Sequence, residues 1–430
     1  MVRSEQVGER VAVIGAGYVG LTTAACLAHM GHEVVCADID EERIAQLNAG
    51  ETPIFEQGLE SLLREGRANG RLTFVLGAAN AAATATICFL CVPTPQSADG
   101  AADLQYLEVA ARQIAPVLGA DSIVVNKSTV PIGSTRVVAA WLERADVSVV
   151  SNPEFLREGT AVHDFLHPDR VVVGADDPAA ARRVADLYQT LDTNTIVCDA
   201  ASAEMIKYAA NAYLAMKLSF VNSVAALCEH VGADCSPVVE GLGSDHRIGP
   251  HYLQPGPGWG GSCFPKDTLA LDWMAREVDY RFDLLQTTVE VNEQQFDRTV
   301  AKAEAFAGGS LAGQQVAVWG LAFKADTDDY RESPALHIVQ RLLDVEAKVR
   351  AYDPEVRSLP FEGVDVVADP YEAVENARVL LLITEWDEFR WLDFDRIHRL
   401  MATPHIVDGR NLLDRDQLRS IGFQYRGVGR

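Results

Sequence analysis

In the run Gly260-Gly261-Ser262-Cys263-Phe264-Pro265-Lys266-Asp267 a thiol, an ammonium and a carboxylate fall within five positions. A thiolate is an intrinsically strong nucleophile whose natural target is a carbonyl carbon. Lys266, and Lys207 further upstream, are ammonium groups able to lower a thiol's pKa and to hold an oxyanion. Cys263 also fits a buried loop thiol, but the two glycines before it and the polar Lys266-Asp267 pair after it disfavour a packed apolar setting. A second run, Asn152-Pro153-Glu154-Phe155-Leu156-Arg157-Glu158-Gly159, offers Glu154 and Glu158 as a base or as a carboxylate that positions water. As charges at a helix start the same two residues would be ordinary surface groups. In Lys127-Ser128-Thr129-Val130-Pro131, the hydroxyl of Thr129 suits orienting water but has no pKa for accepting a proton. His246 and His251 bracket Arg247 with no nucleophile or metal pattern, and they carry no expected chemistry.

These runs must be positioned by a scaffold, and the chain begins with a recognisable one. Val11-Ala12-Val13-Ile14 reads as a strand, Gly15-Ala16-Gly17-Tyr18-Val19-Gly20 as a glycine turn, Leu21 to His29 as a helix, and Glu33 to Ala37 as a second strand ending at Asp38. That order is the dinucleotide-binding unit. Gly15 allows the tight turn, Gly17 lets the backbone approach a pyrophosphate, and Gly20 permits close helix and strand packing. Asp38 would accept from the adenosine ribose hydroxyls and repel a 2'-phosphate, which favours NAD over NADP. Arg43 lies near enough to weaken that preference, and it equally fits a solvated helix position.

Further strands are expected at Thr86 to Val92, Ser122 to Asn126, Val147 to Ser151 and Arg170 to Val173, alternating with Ala-rich helices in a mostly parallel sheet of about 200 residues. Ligands belong at the strand ends, where Pro93-Thr94-Pro95 and the two runs containing Thr129 and Glu154 fall. Ala201 to Glu229, with no Pro and no Gly, reads as one long helix linking two domains. Lys207 and Asn211, four apart, share a face of it that by spacing alone fits solvent. Glycine and proline then accumulate from Gly241 to Pro265, which predicts a loop. The first pattern restarts at Gln315 to Gly320, with a helix at Ala335 to Leu343, a strand at Lys348 to Tyr352 ending in Asp353, and another at Val379 to Thr384. Here Gly320-Leu321-Ala322-Phe323-Lys324 lacks the later glycines, so the turn suits a different phosphate ligand, with Lys324 supplying charge.

Composition narrows the remaining classes. A formal net charge of -24 over 430 residues argues against a nucleic-acid partner. Met1 to Arg10 is polar without an apolar signal core, and apolar stretches break before a spanning length, so no membrane association and a cytoplasmic location are expected. Eight dilute cysteines do not describe a disulfide scaffold. Cys88 and Cys91 have a C-x-x-C spacing inside a strand-like run, but no second Cys or His pair follows it, and no metal is expected.

Together the glycine turn, Lys127 to Pro131, Asn152 to Gly159, Gly260 to Asp267 and Gly320 to Lys324 resemble, in family order, the nucleotide-sugar (UDP-glucose/GDP-mannose) dehydrogenase family. The resemblance implies an α/β protein with an N-terminal Rossmann-like NAD domain (1–200), a central helical linker and dimerisation domain carrying the cysteine loop (201–305), and a C-terminal Rossmann-like UDP-sugar domain (306–430), joined by a long central helix. It implies oxidation of UDP-glucose with two NAD and water to UDP-glucuronate and two NADH, through a thiohemiacetal and a thioester on Cys263. By the same resemblance Lys207 stabilises oxyanions with Asn211 beside it, Asp267 and Thr129 hold the water, and Glu154 is the base. Tyr18, Val19, Thr94, Glu158, Lys266 and Arg331 join Gly15, Gly17, Gly20, Asp38, Arg43 and Thr129 around the cofactor. Phe155, Leu156, Arg157, Tyr252, Gly260, Phe323 and Lys324 join Glu154, Lys207 and Asn211 around the sugar nucleotide. Arg247 resembles an arginine that reaches the neighbouring subunit's site in a homodimer. GDP-mannose or a UDP-N-acetylhexosamine would use the same thiol chemistry, and a non-catalytic regulatory NAD-binding protein is the alternative of another class.

Overall fold

A computed structural model describes residues 8–97, 100–360 and 362–430. The first seven residues of the polar start therefore lie outside the described part. The chain divides into two compact units, Met1–Ala210 with Leu269–Asp279, and Asn211–Thr268 with Tyr280–Arg430. Each is built on an α/β sheet, and long helices join them.

In the first unit the described residues form strands β1 (Arg10–Ile14), β2 (Glu33–Asp38), β3 (Leu72–Leu76), β4 (Ile87–Leu90), β5 (Ile123–Asn126), β6 (Ser148–Ser151), β7 (Arg170–Ala175) and β8 (Asn194–Cys198). They lie in the order β3-β2-β1-β4-β5-β6-β7-β8. All neighbours are parallel except β6 and β7. Strand residues alternate between two faces, and both faces are covered. Val11 and Val13 join a core with Leu21, Ala24 and Ala25, while Ala12 and Ile14 join another with Ala78, Ala81 and Leu107. Each fully buried Val or Leu side chain of this kind contributes about 2 kcal/mol. Cys88 and Cys91 fall in opposite cores, so the two thiols do not share a face of the sheet.

The expected strands occur with altered ends, whereas β3 and β8 went unread. In β8, Asn194 to Val197 are exposed, so the strand carries no inside and outside alternation to read. The chain reverses its direction of winding between β1 and β4, which opens a crevice at their carboxyl ends. Gly15 sits there with φ +102°, and a Cβ on it would come within 2.6 Å of the Cys91 carbonyl oxygen. A Cβ on Gly20 would lie 1.8 Å from the Gly15 oxygen, so the helix Tyr18–His29 approaches the turn only because Gly20 has none.

Helix Ala200–Val231 runs 32 residues, about 48 Å at 1.5 Å per residue. The expected loop from Gly241 to Pro265 begins late, because helix Cys235–Ser244 includes Gly241 and Gly243. Gly243 is tolerated there for packing: a Cβ on it would lie 3.1 Å from the Pro250 Cα. Asp234 caps this helix by accepting from the Ser236 N–H.

In the second unit the strands are β9 (Gln315–Trp319), β10 (Lys348–Tyr352), β11 (Val364–Val366), β12 (Val379–Leu382), β13 (His405–Asp408) and β14 (Gln424–Arg426). Their order is β11-β10-β9-β12-β13-β14, and every pairing is parallel. Trp319, Leu321, Ala335, Ile338 and Leu381 anchor its core. Gly320 repeats the conformation of Gly15 with φ +91°, and a Cβ there would meet Thr384 at 2.3 Å. The helix that follows starts only at Pro334, capped by Ser333. A long loop carrying Phe323, Lys324 and Arg331 thus replaces the tight glycine turn.

Candidate active site

The first unit supplies a dinucleotide crevice. Asp38, at the end of β2, accepts from the Ala16 N–H at 2.6 Å and from the Asp40 N–H at 3.0 Å, and the Arg43 guanidinium lies 3.7 Å from it. A Cβ on Gly17 would meet nothing within 4 Å, so internal packing does not call for a glycine there and the space beside the turn is open. An open backbone turn at a helix N-terminus fits a pyrophosphate. Tyr18 and Val19 form the helix's first turn, with Val19 packed against the core and the Tyr18 hydroxyl donating to Glu56 and to the Arg157 carbonyl. Thr94 and Thr129, from the ends of β4 and β5, are joined by a 2.9 Å bond from the Thr94 hydroxyl to the Thr129 carbonyl. NAD would be held by these groups, and when bound it supplies a hydride acceptor.

In the same unit Glu154 and Lys207 form a buried ion pair, with Nζ 2.8 Å from Oε1. Both were open to a surface reading, and the structure overturns it: the side chains are only 7% and 5% exposed. No helix begins at Glu154 either: the chain runs irregularly to Arg157, turns at Glu158 and Gly159, and becomes helical only at Ala161. Burial pushes the Glu154 carboxyl up, but the Lys207 ammonium and the Leu156 N–H outweigh it and hold the carboxyl below its ordinary value. Glu154 Oε2 accepts that Leu156 N–H at 2.6 Å, and Lys207 Nζ lies over the Phe155 ring at 5.4 Å. Arg157 is turned to Asp164 in a two-point bond of 2.9 and 2.7 Å. Glu158 is half-buried, and its charge, after burial and Glu56, helps raise the Tyr18 hydroxyl pKa.

Two residues outside the expected set support this cluster. Lys127 is buried and donates to Asn152 at 3.2 Å, flanked by the rings of Phe165 and Tyr188. Burial pushes its ammonium down to about 8. Glu204, one turn before Lys207, accepts from the Gly133 N–H at 2.5 Å and from the Thr135 N–H at 2.9 Å, which ties the helix to the loop after Thr129.

The second unit contributes the thiol. Cys263 directly precedes helix Phe264–Glu277, and its carbonyl accepts the Asp267 N–H at 2.9 Å. A thiol at a helix N-terminus sits where the backbone dipole favours the thiolate. Asp267 is buried and held from both sides, by Asn211 Nδ2 at 2.6 Å and by Lys266 Nζ at 2.5 Å. Asn211 is buried as well, against the solvated face that its spacing suggested. Gly260 and Gly261 press on the loop after β9: a Cβ on Gly260 would lie 1.9 Å from the Glu332 oxygen, and one on Gly261 would lie 2.7 Å from the Phe323 ring. Lys324 Nζ lies 5.5 Å from the same ring's centroid, and the ring of Tyr252, whose φ is +60°, lies 6.2 Å from that of Phe264 at a tilt of 52°. Arg247 and Arg331 are exposed and each is held within its own loop, by Asp245 and Asp329 respectively.

A thiol beside a buried, doubly held carboxylate and a hydride-acceptor crevice are the parts of a dehydrogenase that can work through a covalent thioester. Family models agree. The UDP-glucose/GDP-mannose dehydrogenase family matches by its NAD binding domain at residues 9–192, its central domain at 201–294 and its UDP binding domain at 317–415. The chain is 47% identical to the UDP-glucose 6-dehydrogenase of Rhizobium meliloti over 98% of its own length and 99% of that protein. A UDP-glucose dehydrogenase from Pyrobaculum islandicum superposes with a TM-score of 0.92 at 38% identity, covering 100% of this chain and 99% of that one. A UDP-D-ManNAc dehydrogenase from Pyrococcus horikoshii gives 0.89 at 30% identity, covering 98% and 99%. The chain belongs to the UDP-glucose/GDP-mannose dehydrogenase family, and it is an NAD-dependent oxidoreductase with two Rossmann-like domains.

Proposed function

We propose that this enzyme oxidises UDP-glucose at C6 to UDP-glucuronate, with two NAD and one water consumed for each sugar. The observation that carries the reading is the placement of Cys263 at a helix N-terminus one turn from Asp267, a carboxylate fixed by Asn211 and Lys266. Glu154, kept ionised by Lys207, takes the C6 hydroxyl proton as the first hydride leaves. The Cys263 sulfur then attacks the aldehyde carbon, and the Lys207 ammonium and the Asn211 amide stabilise the oxygen that becomes negative. Departure of the second hydride leaves a thioester. Water held by Asp267 and Thr129 adds to it, the C–S bond breaks, and the acid departs.

In this reading Gly15, Gly17, Tyr18, Val19, Gly20, Asp38, Arg43, Thr94, Thr129, Glu158, Lys266 and Arg331 hold NAD. Phe155, Leu156, Arg157, Tyr252, Gly260, Phe323 and Lys324 hold the UDP-sugar beside the catalytic groups, and Arg247 reaches a neighbouring subunit. The domain division at 1–200, 201–305 and 306–430 belongs to the same reading. A cytoplasmic location is supported by eight cysteines of which none is in a disulfide. The test is a panel of UDP- and GDP-sugars assayed for NADH and acid together. UDP-glucose should turn over fastest with two NADH per sugar, whereas faster turnover of a UDP-N-acetylhexosamine would transfer the assignment to that substrate.

A homodimer is supported by the helix Ala200–Val231. Its residues Tyr213, Phe220 and Leu227 recur every seven positions and are 59%, 53% and 62% exposed, a wide apolar stripe for a helix to leave in water. Phe220→Asp should convert the dimer to a monomer in analytical ultracentrifugation, and a wild-type chain that sediments as a monomer at all concentrations would contradict the assignment.

A further inference from the structure

Glu56 lies in the run Thr52-Pro53-Ile54-Phe55-Glu56, outside every motif read from the sequence and far along the chain from each partner of its carboxylate. Its carboxylate is buried, and its partners among the described residues are neutral donors. Oε2 accepts the Gly159 N–H at 2.8 Å and Oε1 the Ala161 N–H at 2.8 Å, which are the end of the Glu154 loop and the first residue of the helix Ala161–Leu166. The Tyr18 hydroxyl, from the first turn after the glycine loop, also donates to Oε2 and lies 3.1 Å from the Arg157 carbonyl. Removing a carboxylate from water is costly, and N–H donors at both oxygens are what offset it here.

We propose that Glu56 is a positioning residue that fastens the loop bearing Glu154 and Glu158 to the glycine turn through Tyr18, so that the cofactor turn and the acid-base loop hold their geometry together. The inference rests on the catalytic reading above and deepens it. Every contact lies within the first unit. The electrostatics point the same way, because the Tyr18 hydroxyl feels both Glu56 and Glu158. A carboxylate in this place can accept from three donors at once. A glutamine of equal size must turn an NH2 group toward at least one of them.

The test is a double-mutant cycle of Glu56→Gln and Tyr18→Phe in the full-length enzyme, read as kcat/KM for NAD with UDP-glucose saturating. Each single change should lower it about five- to tenfold, and the double variant should fall no further than the worse single, since the two act as one unit. Affinity for ADP-ribose, which lacks the nicotinamide, should stay within about twofold in Glu56→Gln. A general loosening of the fold would weaken both ligands and make the two changes additive, and either result would overturn the proposal. If Glu56→Gln does not fold, Tyr18→Phe removes only the hydroxyl that meets Glu56, leaves the backbone of the cofactor turn in place, and must still show the fall with ADP-ribose binding retained. Absence of that fall would also overturn it. A wild-type enzyme that makes no NADH from UDP-glucose would instead defeat the catalytic reading, so the two failures are distinguishable.

Discussion

At the end of β1 the Ala16 N–H donates to Asp38, and at the end of β9 the Leu321 and Ala322 N–H groups donate to Asp353 at 2.6 and 3.0 Å. The two acids stand at corresponding places, Asp38 as the last residue of the strand that pairs with β1 and Asp353 directly after the strand that pairs with β9. Their surroundings differ. Asp353 is wholly buried and also accepts from the Glu355 and Val356 N–H groups and the Trp386 indole N–H. Asp38 has fewer donors, retains some exposure, and faces Arg43 across 3.7 Å. The same turn therefore ends in an acid with capacity for a ligand in one unit and in an acid saturated by its own chain in the other. Repetition of a fold does not repeat its recognition chemistry, which depends on what the terminal carboxylate has left to accept.

The largest effect that would sharpen this contrast is expected at Asp353. Asp353→Asn places an NH2 group among five N–H donors and should cost about 3 kcal/mol of stability. Urea denaturation reads it as a midpoint moved to lower urea, and an unchanged midpoint would break the comparison. Asp38→Asn should do the converse, weakening NAD about tenfold while shifting the urea midpoint far less. NAD titrations followed by protein fluorescence check it, and undiminished affinity would mean that Asp38 is as structural as Asp353.

Much of this arrangement was legible before any coordinates. Val11 to Asp38 declares its strand, glycine turn, helix and acid because each step has a local signature, and the repeat at Gln315 to Asp353 declares itself for the same reason. Cys263 was legible because glycines and charged neighbours are unusual company for a buried thiol. What escaped was whatever a distant segment decides. The four-residue spacing of Lys207 and Asn211 gives a shared face but not what covers it, and Glu154 and Asp267 are what cover it. Glu56 and Glu204 fall in no motif, and the run that holds Lys127 does not mark it for burial, since the partners of all three lie tens of residues away. Helix Cys235–Ser244 went unread because its glycines look like loop signals until Pro250 is seen packed against Gly243.

The central claim is covalent passage through sulfur. Turnover with UDP-glucose and NAD should be quenched in acid and the intact protein and its peptides weighed by mass spectrometry. A sugar-nucleotide adduct at Cys263 in the wild type, absent in Cys263→Ala, is the result expected. Undiminished UDP-glucuronate formation by folded Cys263→Ala, with no adduct on the wild-type thiol, would contradict it.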